Sequence, residues 1–382
     1  MRWRMKAIIN GKLVTLNGVI ENKVLVFNET IQHIQTEVPI DCEVIDAKGM
    51  YIAPGLIDVH VHGSCGADTM DQTTEAIKLM STGIAKNGVT SFLPTTMTMS
   101  PKDIYGALNV IRECMEQSLN GAKVLGAHME GPFINRIYKG AQPEQYVIKP
   151  SYEFIKDYTD VIRLVSYAPE MDEDYSFTKD VKEKTDITLS IGHTNATYDQ
   201  AKEAFSLGCS HVTHLFNAMT PLNHREPGVV GASLTSDVFT ELIADTIHVN
   251  KQLFQFVLDN KGKEKIVLIT DSMRAGCMKD GQYDLGGQRV VVKDGAARLE
   301  SGNLAGSVLT LNKAIYNFLQ NTNATVAEVI HMASLNPATS IGVCNRKGSL
   351  EIGKDADIAI FDEEMNCYLS IVEGREVYKQ LY

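Results

Sequence analysis

The chain has 382 residues, of which 44% are hydrophobic, 22% charged and 7% aromatic. This length and composition suit one large core with a small additional domain and exclude a disordered scaffold. With 36 Lys and Arg against 47 Asp and Glu, the net charge is −11, so neither nucleic acid nor an anionic membrane is an expected partner.

The first fifty residues alternate short apolar runs with turn residues such as Asn10-Gly11 and Asn17-Gly18. This alternation is typical of β-hairpins. The opening segment, 1–10, is basic but lacks the apolar centre of a signal peptide. The longest apolar runs of the chain, such as 266–269, are too short to span a bilayer.

From Pro54 onward, apolar strands alternate with longer stretches of helical period. The predicted strands are 56–61, 90–94, 124–127, 161–166, 188–191, 211–215, 241–244 and 265–270. The clearest predicted helices are 73–86, 101–118, 198–205 and 251–259. Eight strands alternating with helices predict an α/β fold in which a (β/α)₈ TIM-type barrel is the most economical architecture.

The last hundred residues return to a β pattern. Residues 288–299 predict a β excursion, 309–321 and 326–334 predict helices, and 357–361 and 369–372 predict strands. Because both chain ends share a hairpin pattern that the middle lacks, we expect them to fold together. The predicted domains are a discontinuous β-sandwich of 1–53 and 345–382 and a catalytic barrel of 54–344.

The most informative local pattern is the pair His60 and His62 on the first predicted barrel strand. Alternation along a strand places both imidazoles on one face, close enough to share a metal ion. The alternative interpretation of an isolated His-x-His is that the two histidines only fill the interior of the barrel. Further polar positions at strand ends make that alternative less favourable.

Four other chemically capable side chains follow or close predicted strands: Glu130, His193, His214 and Asp271. The carboxyl ends of barrel strands form the active site of this architecture. The sequence therefore predicts a catalytic metal with an open coordination position. Asp271 is expected to lie apart from the imidazoles and to serve as a proton shuttle. His128 and His211 are expected to form hydrogen bonds within the barrel.

Several short motifs follow one another along the chain and carry a resemblance to a known family. They are Pro-Gly-Leu-Ile-Asp-Val-His-Val-His-Gly at 54–63, Gly-Ala-His-Met-Glu-Gly-Pro-Phe-Ile at 126–134, Gly-His-Thr-Asn-Ala at 192–196, Thr-His-Leu-Phe-Asn-Ala-Met at 213–219, Thr-Asp-Ser-Met at 270–273 and Leu-Ala-Gly-Ser at 304–307. The sequence resembles the N-acetylglucosamine-6-phosphate deacetylases of the amidohydrolase superfamily over nearly its whole length.

The resemblance implies a metal-dependent enzyme that hydrolyses N-acetyl-D-glucosamine 6-phosphate to D-glucosamine 6-phosphate and acetate. It implies one metal on Glu130, His193 and His214, with His60 and His62 available for a second ion. Imidazole and carboxylate ligands suit zinc or iron. The implied substrate-binding positions are Ala141, Gln142, Asn217, Ala218, Arg225, His248, Leu304, Ala305 and Gly306.

One position departs from the family pattern. The family usually has histidine after Lys-Gly-Ala, where this chain has Gln142, which can still donate a hydrogen bond to an acetyl carbonyl. The resemblance also implies a homodimer with shared active sites. Arg225 lies on a long loop rich in turn residues, and we expect it or His248 to reach the phosphate of a neighbouring subunit's substrate.

Two other functions remain open from the sequence alone. The same fold could deacetylate N-acetylgalactosamine 6-phosphate or another N-acyl compound, or the chain could be a catalytically silent amidohydrolase-like scaffold. Seven scattered cysteines without a Cys-x-x-Cys pair indicate a reducing compartment, so a cytoplasmic location is expected.

Overall fold

The computed structural model describes residues 5–380; residues 1–4 and 381–382, which belong to the predicted β domain and in part to the basic opening segment, lie outside the described residues. Its central sheet contains eight parallel strands, here called the first to eighth barrel strands: Leu56–Val61, Val89–Thr96, Ala127–Glu130, Ile162–Tyr167, Thr188–Ile191, His211–Val212, Phe239–Ile243 and Ile266–Ile269. A parallel bridge between Val61 and Ser272 joins the two ends of this sheet. The predicted barrel is confirmed, and it is nearly closed.

Six of the eight barrel strands differ from their predicted ranges, four of them by one or two residues at an end and the third and sixth by three. The third begins at Ala127, because the chain breaks at Gly126, whose φ is 146°. A Cβ at Gly126 would lie 2.5 Å from the carbonyl oxygen of Val161, so only glycine fits there. The sixth strand ends at Val212, since the chain turns at His214, whose φ is 29°. Both shifts bring polar side chains to the end of the barrel.

Helices surround the barrel, and their bounds within the described residues are Thr74–Ala85, Pro101–Glu116, Tyr152–Ile155, Ser176–Lys184, Tyr198–Ser206, Gly228–Leu234, Leu253–Lys261, Leu311–Gln320, Val326–Met332 and Leu335–Ser340. Pro101–Glu116 illustrates how the sequence sets them. Ser100 Oγ accepts a hydrogen bond from the Asp103 amide, and Pro101 occupies the first turn. Ile104, Leu108 and Ile111 follow at helical spacing and are all buried. Across residues 5–380, no helix combines the length and apolarity needed to cross a membrane.

Strands from both chain ends form two small sheets. One contains Ile31–Gln35, Val24–Phe27, Lys6–Ile9 and Glu43–Asp46; the other contains Arg375–Lys379, Cys367–Val372, Ile358–Phe361, Tyr51–Pro54, Lys12–Thr15 and Gly18–Ile20, each in spatial order. A shared core includes Leu25 and Phe27 from the first sheet and Leu13, Ile52 and Ile360 from the second. This packing forms the predicted β-sandwich, with Tyr51–Pro54 paired to Ile358–Phe361 at its centre.

The predicted β excursion is a three-stranded antiparallel sheet of Gly281–Leu285, Gln288–Lys293 and Ala296–Leu299. Its buried Leu285 and Val290 pack in one cluster with Met97 and Met273 of the barrel. Gln288 Nε2 also donates a hydrogen bond of 2.5 Å to the carbonyl oxygen of Ala141. The excursion therefore supports the loop that follows the third barrel strand.

Candidate active site

A cavity of about 200 Å³ lies among the loops that follow the barrel strands. It brings together twelve of the residues that the sequence singled out: His62, Glu130, Ala141, Gln142, His193, His214, Asn217, Ala218, His248, Asp271, Leu304 and Gly306. Met97, Gly140 and Leu285 complete its wall. The chemically capable residues thus converge from strands and loops that are distant in sequence.

Glu130 is the centre of the polar cluster in this cavity. Its Oε1 lies 3.1 Å from His214 Nε2, 3.2 Å from His193 Nε2 and 3.4 Å from His60 Nε2. Its Oε2 lies 3.2 Å from His62 Nε2. All five residues are buried. One carboxylate therefore contacts four imidazoles in a place from which water is largely excluded.

Local backbone geometry aims these side chains into the cavity. His60 lies on the first barrel strand and His62 comes directly after its last residue, so that alternation brings both imidazoles to the inner face, as the sequence predicted. His193, His214 and Asp271 follow their strands with φ values of 48°, 29° and 47°, in the left-handed region that non-glycine residues rarely adopt. Such conformations persist where the surrounding structure enforces them, often at functional sites.

Each of the four imidazoles is held by a hydrogen bond from Nδ1. The acceptors are the Glu241 carboxylate for His60 and the carbonyl oxygens of Thr95, Tyr138 and Asn217 for His62, His193 and His214, at 2.9–3.2 Å. Because these acceptors carry no proton, Nδ1 is the protonated nitrogen in every ring. In its neutral form, each of the four rings therefore presents an Nε2 lone pair on the side that faces Glu130.

Glu241, on the seventh barrel strand, is a functional residue that the sequence analysis missed. It is completely buried, and its Oε2 lies 2.9 Å from His60 Nδ1 and accepts the His214 backbone amide at 3.1 Å. Its Oε1 lies 3.3 Å from His211 Nε2. A glutamate within the apolar strand 241–244 was the available signal, since a carboxylate there requires buried partners.

The prediction that Asp271 lies apart from the imidazoles is wrong. Its Oδ1 is 3.3 Å from His62 Nε2 and 3.4 Å from His60 Nε2. The reason is that the first and eighth strands are neighbours in the closed barrel, with the Asp271 amide donating to the His60 carbonyl at 2.9 Å.

Gln142 is fixed at both ends of its amide. Its Oε1 accepts a hydrogen bond from the Thr98 amide at 2.8 Å, and its Nε2 donates to Glu130 Oε2 at 2.6 Å. A glutamine NH₂ group has two hydrogens, so one remains for another acceptor. The glutamine at this position therefore orients Glu130 and retains a donor for the cavity.

The charges in the cluster shift the pKa values strongly. Burial disfavours the charged form of Glu130, but attraction to His193 and His60 and hydrogen bonds within the cluster hold its pKa well below the usual value. Burial likewise opposes a charge on His62, yet hydrogen bonds to Asp271 and Glu130 raise its pKa to about 10. The carboxylates therefore stabilise positive charge among the imidazoles.

These residues fit a divalent metal ion. The lone pairs of an imidazole Nε2 and a carboxylate oxygen repel one another at this distance unless a proton or a cation lies between them. His60 Nε2 in addition is buried without a hydrogen-bond partner. Two ligand groups meet here, Glu130 with His193 and His214, and Glu130 with His60 and His62, and the ligand atoms within each lie within 4.8 Å of one another. The donor set matches the imidazole and carboxylate chemistry of zinc or iron sites.

Three predicted residues lie outside the cavity wall. His60 is fully buried beside the cluster. Ala305 is also buried, and its amide donates to the Ala297 carbonyl, so that of the 304–306 loop only Leu304 and Gly306 reach the cavity. Arg225 is exposed and lines a separate surface cleft. Within one chain, the geometry does not bring Arg225 to the cavity.

His248 and Asn217 supply polar groups at the cavity wall. His248 Nδ1 lies 2.6 Å from Asp245 Oδ2, which fixes the orientation of the ring. The Asn217 side chain donates to the carbonyl oxygens of His214 and Leu215 at 3.3 and 3.1 Å. Both residues are therefore held in place next to the polar cluster.

Comparison with known proteins gives consistent matches over almost the whole chain. An N-acetylglucosamine-6-phosphate deacetylase from Bacillus subtilis is 39% identical over 374 residues, which cover 95% of this chain and 94% of that protein. An N-acetylgalactosamine-6-phosphate deacetylase from Escherichia coli O157:H7 is 37% identical over 342 residues, covering 88% and 90% of the two chains.

The crystal structure of an N-acetylglucosamine-6-phosphate deacetylase from Pasteurella multocida superposes with a TM-score of 0.92 at 32% identity. The superposition covers 97% of this chain and 99% of that one. The model of the amidohydrolase family matches residues 51–379, which include the whole barrel and every residue of the polar cluster. The chain therefore belongs to the amidohydrolase family.

Proposed function

We propose that this amidohydrolase is a cytoplasmic deacetylase of amino-sugar catabolism. It hydrolyses the acetamide of N-acetyl-D-glucosamine 6-phosphate and releases acetate and D-glucosamine 6-phosphate. The observation that carries the proposal is the buried Glu130 carboxylate among four imidazole Nε2 atoms, with a second carboxylate, Asp271, at one side. Similarity to deacetylases of phosphorylated amino sugars supports the choice of substrate.

Glu130, His193 and His214 would hold one divalent ion, and His60 and His62 could add ligands for a second. Zinc and ferrous iron are the ions that this ligand set favours. When bound, such an ion supplies Lewis acidity, which activates water at neutral pH and polarises a carbonyl. Glu241 keeps His60 in the tautomer that this role needs, by accepting its Nδ1 proton.

Asp271 is the proton carrier in the proposed reaction. Attraction to His60 and a hydrogen bond with His62 overcome the effect of burial and keep its pKa below the ordinary value, so it is ionised before the reaction. It accepts the proton of the attacking water and then gives a proton to the departing nitrogen. This second transfer is required because an unprotonated amide nitrogen is a very poor leaving group.

In the proposed complex, the acetyl carbonyl of the substrate lies next to Gln142. The amide hydrogen that does not bond Glu130 is free to donate to the carbonyl oxygen, on which negative charge develops during attack. Thr98 fixes the other end of this amide, so the donor is already oriented before the substrate arrives. Ala141, Leu304 and Gly306 line the space for the sugar ring.

The phosphate is bound by the Ala218 amide and His248, together with Arg225, and by Asn217 once its side chain exchanges one of its two backbone contacts for the phosphate. Asn217, Ala218 and His248 line the cavity, whereas Arg225 of the same chain lies in another cleft. We therefore propose a homodimer in which Arg225 of one subunit completes the site of its neighbour. A planar guanidinium donates two parallel hydrogen bonds to a phosphate, which favours arginine at such a position.

Acetate release from a panel of N-acetylated sugars tests the function. We expect the fastest release from N-acetylglucosamine 6-phosphate, slower release from the sugar without phosphate, and loss of activity on chelation that zinc or ferrous iron restores. Elemental analysis of the same preparation should find one or two divalent ions per chain. Faster release from N-acetylgalactosamine 6-phosphate would assign the chain to the alternative substrate. Absence of acetate from every metal-loaded reaction would support the silent scaffold.

Arg225→Ala is expected to raise KM for N-acetylglucosamine 6-phosphate at least about tenfold, because a charge-assisted contact to the phosphate is lost. KM for N-acetylglucosamine should hardly change, since this sugar has no phosphate to bind. Steady-state kinetics on both sugars measures the difference. Equal increases for the two would remove Arg225 from phosphate recognition.

Mixing two defective variants tests whether the site is shared. If Arg225 crosses to the neighbouring subunit, a mixed dimer of Arg225→Ala and Asp271→Asn chains has one site with both defects and one intact site. Isolated mixed dimers should then have about half of the wild-type activity, and an equimolar mixture after complete subunit exchange about a quarter, because only half of its dimers are mixed. Mixed dimers that are verified by mass and remain inactive would show that Arg225 acts within its own chain.

A further inference from the structure

We propose that Cys65 and Cys277 form a reversible redox site, in which hydrogen peroxide or a similar peroxide converts the two thiols into an intrachain disulfide. This thiol pair lies near the carboxyl end of the helix Thr74–Ala85, outside the wall of the catalytic cavity, and takes no part in the hydrolysis proposed above. The inference does not depend on the identity of the substrate.

The two cysteines lie on loops that follow the first and eighth barrel strands. The two side chains are close enough for each thiol to shift the pKa of the other. The Cys65 amide also donates to the carbonyl oxygen of Gly276, the residue before Cys277, at 2.8 Å. This bond joins adjacent peptide units, so the two Cα atoms are at most about 7 Å apart, close to the usual span of a disulfide.

Further backbone hydrogen bonds join the two loops that carry the pair. The Gly63 amide donates to the Ser272 carbonyl at 2.9 Å, and the Gly66 amide donates to the Arg274 carbonyl at 2.7 Å. These bonds lie on both sides of Cys65 on its own loop, and their acceptors precede Gly276 on the other loop. Closing the disulfide therefore requires side-chain rotation and a small approach, not a rearrangement of the barrel.

The surroundings leave space around both sulfur atoms and keep both accessible to solvent. Cys277 is exposed and Cys65 is partly exposed. Gly83 faces Cys65, and a Cβ there would lie 2.4 Å from its Sγ, so glycine provides the space that the sulfur occupies. Asn87 Nδ2 donates to Cys277 Sγ at 3.4 Å, and Ser64 Oγ donates to Cys65 Sγ at 3.6 Å.

The interaction between the two thiols also divides them into a nucleophile and a proton donor. Interaction with Cys277 lowers the pKa of Cys65 to about 6, although burial opposes the shift. The same interaction raises the pKa of Cys277. A thiolate at neutral pH is the reactive form of cysteine. By contrast, burial raises the pKa values of Cys114, Cys209 and Cys367 to about 11 or 12.

The chemistry balances with one peroxide molecule. The Cys65 thiolate attacks one peroxide oxygen, the O–O bond breaks, and the products are a sulfenic acid on Cys65 and hydroxide. Cys277 Sγ then attacks the Cys65 sulfur and displaces the hydroxyl group, while the Cys277 proton completes a water molecule. In total, two thiols and hydrogen peroxide give one disulfide and two water molecules. A dithiol reductant reverses the reaction by thiol–disulfide exchange.

The experiment uses the full, zinc-loaded chain, reduced and then treated with hydrogen peroxide. Free thiols are blocked under denaturing conditions, and proteolytic peptides are identified by mass spectrometry. We expect a peptide pair joined through Cys65 and Cys277, lost again on treatment with dithiothreitol. The wild-type chain by itself tests whether the disulfide forms. Failure to find this peptide pair when peroxide has oxidised Cys65 further would overturn the proposal.

Three serine variants assign the roles. Cys344→Ser is the matched control, because Cys344 is a partly exposed thiol outside the pair, and its disulfide yield should equal that of the wild type. Cys277→Ser should accumulate a Cys65 sulfenic acid that dimedone traps. Cys65→Ser should lose thiols to peroxide at least about tenfold more slowly, since the thiolate is gone. Equal rates in Cys65→Ser and wild type would contradict the assignment of Cys65 as the nucleophile.

Discussion

Asp271→Asn is expected to slow the turnover of N-acetylglucosamine 6-phosphate by at least about 10²-fold, the loss typical of removing a general acid–base. The amide of asparagine has the shape of the carboxyl group but cannot accept and return the proton. Because the histidine cluster and Glu130 remain, the variant should retain its divalent metal. The loss should therefore appear in kcat, and KM should change little.

Acetate release and elemental analysis on the same preparation check this prediction together. Asp186→Asn is a suitable control, since Asp186 is an exposed carboxylate before the fifth barrel strand and outside the cavity. Its turnover should match the wild type. Near-wild-type turnover in Asp271→Asn would exclude Asp271 as the proton carrier, and loss of metal would show that its contacts to His60 and His62 are needed for binding.

Glu130→Gln should abolish stoichiometric metal binding and with it deacetylation. Glutamine preserves the shape of the side chain but removes the negative charge that contacts four imidazoles and belongs to both ligand groups. Replacing residues that only support a ligand lowers metal affinity about 10- to 100-fold, so removing the shared anionic ligand should cost more than about 10²-fold.

Metal content after gel filtration, together with competition against a chelator of known affinity, measures the effect of Glu130→Gln. Glu203→Gln provides the control, because Glu203 is exposed on the helix Tyr198–Ser206. The control should keep its metal and its activity. A Glu130→Gln variant with full occupancy would mean that the histidines alone hold the ion.

Much of the site follows from local sequence rules. His60 and His62 share a face because strand residues alternate, and Glu130, His193 and Asp271 lie at strand ends because barrel sites are built there. The substrate positions were assigned by resemblance to a family and not by such rules. Strand alternation and placement at a strand end can each be recognised from the sequence of one element at a time.

Other features depend on several elements at once. Glu241 was missed because its burial is understandable only when His60 and His211 from other strands face it. The place of Asp271 was wrong because sequence alone does not show how closely the first and eighth strands approach. The early end of the sixth strand at His214 reflects a left-handed turn that the apolar pattern of 211–215 conceals.

The pairing of Tyr51–Pro54 with Ile358–Phe361 in the β-sandwich affects how the chain is made. During synthesis the ribosome completes the entire barrel before the strands that cover Tyr51–Pro54 emerge. Leu13, Ile52 and Leu25 therefore lack their C-terminal packing partners while about three hundred more residues are added. At bacterial and eukaryotic rates of synthesis this takes about 15 to 60 s. The nascent chain therefore exposes unpaired strand edges for much of its synthesis. We expect chaperones that cover such edges to bind it.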